Sequence, residues 1–193
     1  SQASYSTVYR FLKKKNLLVN SPRKEENRRR FAYDQVNMLW QGDEMYGPYL
    51  NLDGKKVKTF LFAFIDDCSR VITYAKFLTT EKFSAVQQVL SEAILRRGIP
   101  KLLYVDNGKV YRSDNLHFAC ASLGITLIHT KPYSPADKGK IERFYLTVRK
   151  RFLPLLTDED LSSLDKLNKS FFKWLEKDYH RKVHSSLKMT PLD

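Results

Sequence analysis

The chain has 193 residues, 42% of them hydrophobic, enough to bury the core of one main domain with appendages. Lysine and arginine outnumber aspartate and glutamate by 34 to 21, and the resulting charge of +13 and pI near 9.7 are the footprint of a polyanion partner. No run approaches the ~18–20 apolar residues that cross a bilayer, and no signal-peptide pattern opens the chain, which argues against a membrane partner.

Residues 1–20 read as a short helix with apolar positions Val8, Phe11 and Leu12, too loosely amphipathic for a membrane surface. Residues 21–36 form a basic, non-periodic linker containing Arg28, Arg29 and Arg30, a segment that stays solvated or lies on phosphates. A strand from Asn37 carries Asp43. After a turn at Asp53-Gly54, Val57 to Ile65 reads as a second strand and Val71 to Leu78 as a third. Phe83 to Arg96 has helical periodicity and Gly98 stops it. Leu102 to Val105 is a continuous apolar strand, Asn115 to Ala121 a helix, Ile125 to Ile128 a fifth strand, and Lys138 to Phe152 a long helix. Leu161, Leu164, Leu167, Phe171, Trp174 and Leu175 recur at helical spacing and predict a tail folded back on the core. Short-turn strands followed by helix-strand-helix-strand-helix spell an α/β fold.

Cys68 and Cys120 have no partner at short spacing and read as reduced thiols of a cytosolic protein. His180 and His184 could join cysteines in a zinc site, but no Cys-x-x-Cys supports it, and they read as helix-end histidines.

Three acidic residues stand in contexts suited to a cleft. Asp43 ends Trp40-Gln41-Gly42-Asp43. Asp106 closes an apolar strand and precedes Asn107-Gly108. Glu142 lies in Gly139-Lys140-Ile141-Glu142-Arg143, with 35 residues between it and Asp106. Clustered carboxylates can hold two divalent cations, which activate a nucleophile and stabilise a leaving oxygen at phosphorus. Each acid has an ordinary alternative. Asp106 could simply form an Asn-Gly turn, Glu142 could pair on the surface with Lys138, and Asp43 could mark a strand edge or bulge. Glu44 points to the opposite strand face from Asp43. Asp66 and Asp67 are adjacent acids that turn chemistry with Ser69 explains without a metal.

These three motifs, in order and at this spacing, resemble the catalytic core of the retroviral integrase and insertion-sequence transposase superfamily. The resemblance covers Asn37 to Lys150. Lys138, where retroviral integrases usually carry Gln, leans towards the bacterial transposases. It implies a ribonuclease-H-like α/β fold, a five-stranded mixed sheet flanked by helices, in which the strands of Asp43 and Asp106 are neighbours. It implies a division into residues 1–20 as the end of a DNA-binding helix-turn-helix, 21–36 as linker, 37–157 as the integrase-type core, and 158–193 as a C-terminal helical extension. The closing Tyr179-His180-Arg181 to Thr190-Pro191 resembles the end of many transposase cores, so the chain reads as a fragment.

The implied activity is DNA end cleavage and strand transfer during transposition. Asp43, Asp106 and Glu142 would hold two Mg²⁺ or Mn²⁺ ions, and Arg28, Arg29, Arg30, Lys138, Lys140 and Arg143 would contact DNA. Tyr133, Ser134 and Pro135 fall in a loop that the family keeps near DNA. The implied partners are transposon ends and target DNA, with at least a homodimer on DNA, in a bacterial cytoplasm at the nucleoid. Two rivals remain: a metal-dependent nuclease of the same fold that cuts without joining, and a non-catalytic DNA-binding protein.

Overall fold

The computed structural model describes residues 4–15, 33–130 and 138–193. Arg28, Arg29, Arg30, Tyr133, Ser134 and Pro135 lie outside the described residues. The chain divides into two compact units, 1–31 and 32–193. In the first, α1 (Tyr5–Lys14) starts at Ser4, whose side chain accepts from the Thr7 N–H, and it buries none of its residues.

The second unit is built on a five-stranded sheet in which Ile72–Leu78, Phe60–Asp66, Leu39–Tyr46, Leu102–Val105 and Thr126–His129 lie side by side in that order. β1 (Leu39–Tyr46), β4 (Phe60–Asp66) and β5 (Ile72–Leu78) run antiparallel, while β6 (Leu102–Val105) and β7 (Thr126–His129) lie parallel beyond β1. β4 is buried at every position because both faces are covered, which its unbroken apolar run requires. On one face α2 (Phe83–Arg97) and α3 (Asp114–Ser122) pack over Trp40, Phe62, Phe64, Leu103 and Val105. On the other, α4 (Gly139–Thr147) and α5 (Leu164–Trp174) pack over Met45, Leu61, Ala63 and Phe77.

The stretch expected to be one strand from Val57 to Ile65 is two. A hairpin of β2 (Leu50–Leu52) and β3 (Lys55–Val57) comes first, and the chain enters β4 only at Phe60. Asp53 and Gly54 both have positive φ, the geometry of a tight two-residue hairpin turn. Thr59 then turns aside: its hydroxyl donates to the Pro48 carbonyl at 2.5 Å and its carbonyl accepts from the Gly47 N–H at 2.8 Å.

The predicted apolar stripe of the long helix is buried throughout, at Ile141, Phe144, Tyr145, Val148 and Phe152, with the last turn widened into a π-helix over Val148–Phe152. The tail does fold back, burying Leu167, Phe171, Trp174 and Leu175. Asn168 docks it. Its side chain accepts from the Phe77 N–H at 2.8 Å and donates to the Phe77 carbonyl at 2.9 Å, as a neighbouring strand would. The open edge of β5 is thereby covered at that residue.

Candidate active site

β1 and β6 pair in parallel with Trp40 opposite Leu103 and Gln41 opposite Tyr104. Continued two residues, the same register sets Asp43 beside Asp106, and one cation spans them. Lys138 Nζ lies 2.7 Å from Asp43 Oδ1 and 3.8 Å from Asp106 Oδ2. The pair with Asp43 is sheltered, with side chains 9% and 16% exposed, and Asp106 is more open. Burial pushes the Asp43 carboxyl above its ordinary value, and Lys138 offsets only part of that rise. The charge of Asp106 raises it too but by less than burial, so desolvation rather than mutual repulsion dominates at this acid.

The motif residues around the acids have structural tasks. Gly108 donates its N–H to Asp106 Oδ1 at 2.7 Å, and a Cβ there would stand 2.8 Å from that oxygen, so glycine lets the turn close on the carboxylate. Asn107 donates to the Thr130 carbonyl at 2.6 Å, tying the end of β6 to the end of β7. Gly42 leaves room for the Phe64 ring and Val105, which would both crowd a Cβ. Gln41, polar yet buried, accepts from the Ile141 N–H at 3.3 Å and donates to Asp67 Oδ1 at 3.0 Å. It thus satisfies a free N–H in the first turn of α4 and fixes that helix start over β1. Tyr145 OH donates to the Asp43 carbonyl and to the Leu61 carbonyl.

Glu142 stands exposed in the first turn of α4. The surface pair with Lys138 does not form, because Lys138 turns to Asp43 instead. Among the described residues no group of three or more His, Cys, Asp or Glu side chains is gathered to hold a metal. Asp43 and Asp106 are therefore brought together through Lys138, while Glu142 lies on the helix packed over the same face of β1. Asp66 and Asp67 are occupied structurally. Asp66 accepts from the N–H groups of Asn37, Cys68 and Ser69 and from the Ser69 hydroxyl. Asp67 accepts from the Tyr33 N–H, Gln41 and Lys140. His180 likewise serves the fold, accepting from the Ile72 N–H at 3.2 Å and facing Glu176, with burial lowering its pKa.

Glu44 was set aside by strand alternation, yet its carboxyl senses the site from behind. It is pushed up to about 7, by burial first and then by the charges of Glu81, Asp106 and Asp43. Its Oε2 and the hydroxyl of fully buried Tyr111 are both buried, with no hydrogen-bond partner among the described residues. An acidic residue following the motif aspartate was the one sequence signal for it.

Two family models, both described as an integrase core domain, match residues 33–135 and 123–191. The chain belongs to the integrase core domain family. It is 29% identical over 177 residues to the transposase for transposon Tn552 of Staphylococcus aureus, covering 81% of this chain and 37% of that protein. It is 37% identical over 90 residues to the Pol-related polyprotein of the mouse intracisternal A-particle MIA14, covering 47% of this chain and 10% of that one. The chain thus spans well under half the length of these relatives. Among solved structures, a chain of the simian T-cell lymphotropic virus intasome, in complex with PP2A regulatory subunit B56 gamma, superposes with TM-score 0.72 at 25% identity, over 84% of this chain and 55% of that one. The HTLV-2 integrase catalytic core domain in complex with magnesium (dimeric form) superposes with TM-score 0.61 at 21% identity, over 81% and 94%. The fold is that of the integrase core, ribonuclease-H-like, as the motifs implied. No helix among the described residues is long and apolar enough to cross a membrane.

Proposed function

We propose that this chain is the catalytic core of a DNA transposase or integrase, nearer the bacterial transposases, that cleaves element ends and joins them to a target. One observation carries the reading. In a chain of the integrase core family, the two motif aspartates share a single cation, Lys138, at neighbouring parallel strands. That donor set fits a divalent metal: two carboxylates already converge on one positive charge, and Glu142, exposed on the covering helix, would supply a third oxygen ligand. Asp43, Asp106 and Glu142 would hold Mg²⁺ or Mn²⁺, two ions per site. Bound metal would supply Lewis-acid activation of the attacking oxygen and stabilisation of the leaving oxygen at phosphorus.

The chain's own residues set the geometry. Gly108 holds the Asp106 carboxylate through its N–H. Gln41 and Tyr145 fix α4, and with it Glu142, against β1. Lys138 neutralises the two aspartates. In the first reaction water attacks a phosphodiester and a 3′-OH leaves. In the second, that 3′-OH attacks a target phosphodiester and the target's own 3′-oxygen leaves, so no covalent protein–DNA intermediate is involved. Lys140, Arg143 and the linker residues Arg28, Arg29 and Arg30 would contact the DNA backbone, whereas Lys138, buried against Asp43, is taken up by the aspartates.

Residues 1–20 would close a helix-turn-helix, 21–36 link it to the core at 37–157, and 158–193 extend that core. Because joining uses two element ends, the protein would act as a homodimer or larger assembly on DNA. A bacterial cytoplasmic, nucleoid-associated setting is supported by the staphylococcal relative. The test is a two-end assay with intact and pre-cleaved ends in Mg²⁺ or Mn²⁺. Asp106→Asn should abolish cleavage and joining with DNA affinity nearly unchanged, while Asp66→Asn, provided that it folds, should keep activity. An active Asp106→Asn protein refutes the assignment. Cleavage without joining of a pre-cleaved end would make the protein a nuclease of the same fold.

A further inference from the structure

Beside α4, away from Asp43 and Asp106, lies a cavity of about 210 Å³ whose lining includes Arg70, Lys140, Arg143, Arg151, Lys182 and His184. Two carboxylates answer these charges: Asp67 pairs with Lys140, and Asp178 is shared by Arg151 and Lys182. Among the described residues, Arg70 and Arg143 have no carboxylate partner. Arg70 is the sharper case. It is only 8% exposed, and its guanidinium reaches the Cys68 carbonyl at 3.4 Å.

Burying an arginine without a counter-charge is costly unless an anion supplies one. The positive charges also act on each other. His184 is lowered by burial and then by Arg70 and Arg143, and Lys140 is lowered chiefly by burial, with Arg70 adding to it. Planar guanidinium groups around a concave floor suit the tetrahedral oxygens of a phosphate. The rim is open, with the Lys182 side chain 63% exposed and Arg143 exposed, so a continuous chain of phosphates can pass across it. Lys140 and Arg143 flank Glu142 on α4, which ties the cavity to the proposed active site.

We propose that this cavity is a phosphate subsite for the DNA backbone, holding one phosphodiester of the strand laid past Asp43 and Asp106. It rests on the DNA-processing reading above and adds to it a place where the strand is gripped, built from the turn after β4, from α4 and from the segment at 179–185.

The test uses the whole chain and fluorescence anisotropy of a labelled duplex across a salt series. Arg143→Gln with Lys182→Gln removes two exposed charges of the cavity. Lys169→Gln with Lys173→Gln removes the same charge from the exposed face of α5. The cavity pair should weaken binding roughly tenfold at low salt and make the log–log salt slope shallower by about 1, the value for one phosphate. The α5 pair should stay within about twofold. Equal losses in both pairs, or none in the cavity pair, overturn the subsite.

Melting curves in inorganic phosphate separate the sources of the anion. Free phosphate should stabilise wild type little more than the cavity pair. Strong stabilisation of wild type alone, with duplex binding untouched, assigns the cavity to a small ion and overturns the backbone assignment. Should the wild type bind no duplex, the DNA-processing reading falls as well. Should it bind, with Asp106→Asn inactive and the cavity pair binding like wild type, the subsite falls together with the backbone contact at Arg143, and the catalytic reading stands.

Discussion

Glu44 permits a pH-dependent prediction whose size follows from its surroundings. Its carboxyl rises from an ordinary 4.5 to about 7, through burial and then the charges of Glu81, Asp106 and Asp43. Below pH 4.5 the group is protonated in folded and unfolded chains alike and contributes nothing. Between 4.5 and about 7 the unfolded chain gives up the proton while the folded protein keeps it, so stability falls as pH rises. Above about 7 the loss levels off. At 1.36 kcal/mol per pKa unit the ceiling is about 3.4 kcal/mol. The side chain is only half buried, and solvent screening reduces this to ~1–2 kcal/mol.

Glu44→Gln removes the ionisation and keeps the shape. In urea denaturation with EDTA present, the variant should exceed wild type by ~1–2 kcal/mol at pH 8 and lie within ~0.5 kcal/mol of it at pH 5. The chelator matters because a bound cation nearby would favour the ionised carboxyl. A difference independent of pH, or a variant less stable than wild type at pH 8, would refute the reasoning.

Lys138→Gln takes away the cation that Asp43 and Asp106 share. Without metal the variant should lose about 2–3 kcal/mol, less than a broken buried pair at full cost because Asp43 can take up a proton. It should nevertheless bind Mn²⁺ about tenfold tighter, since the ion no longer displaces an ammonium group. Unchanged or weaker Mn²⁺ binding by calorimetry would show that Lys138 does not compete for the site. Gly108→Ala forces a Cβ to within 2.8 Å of Asp106 Oδ1, so strand transfer should fall at least tenfold while the melting midpoint moves by only a few degrees. Equal activity in the two proteins would remove the turn from the account.

Much of this protein is local, and what is local is legible. The unbroken apolar runs of β4 and β6, the stripe Ile141, Phe144, Tyr145, Val148 and Phe152, and the helical spacing of the returning tail are all patterns among residues within four positions of one another. The Asp66-Ser69 turn is equally local where Ser69 donates its N–H and hydroxyl to Asp66, although Asp66 also accepts from the distant Asn37 N–H. The hairpin at Asp53-Gly54 was half legible. The turn stands in the sequence, but the break at Thr59 depends on a carbonyl eleven positions away.

The chemistry is a matter of tertiary placement. Lys138 reads as a backbone-phosphate contact when only its neighbours are considered. It becomes the partner of Asp43, 95 positions away, once α4 is laid over β1. Gln41 looks like a polar interruption in a strand until the Ile141 N–H and Asp67 arrive on either side of it. Alternation sends Glu44 to the face opposite Asp43, and says nothing of the charges of Glu81 and Asp106 that act on it. The cationic cavity joins a turn, a helix and the end of the chain. Periodicity records which side of its own element a residue occupies. Strand register and helix docking decide which charges meet across elements, and those meetings set the ion pairs and pKa values on which the site depends.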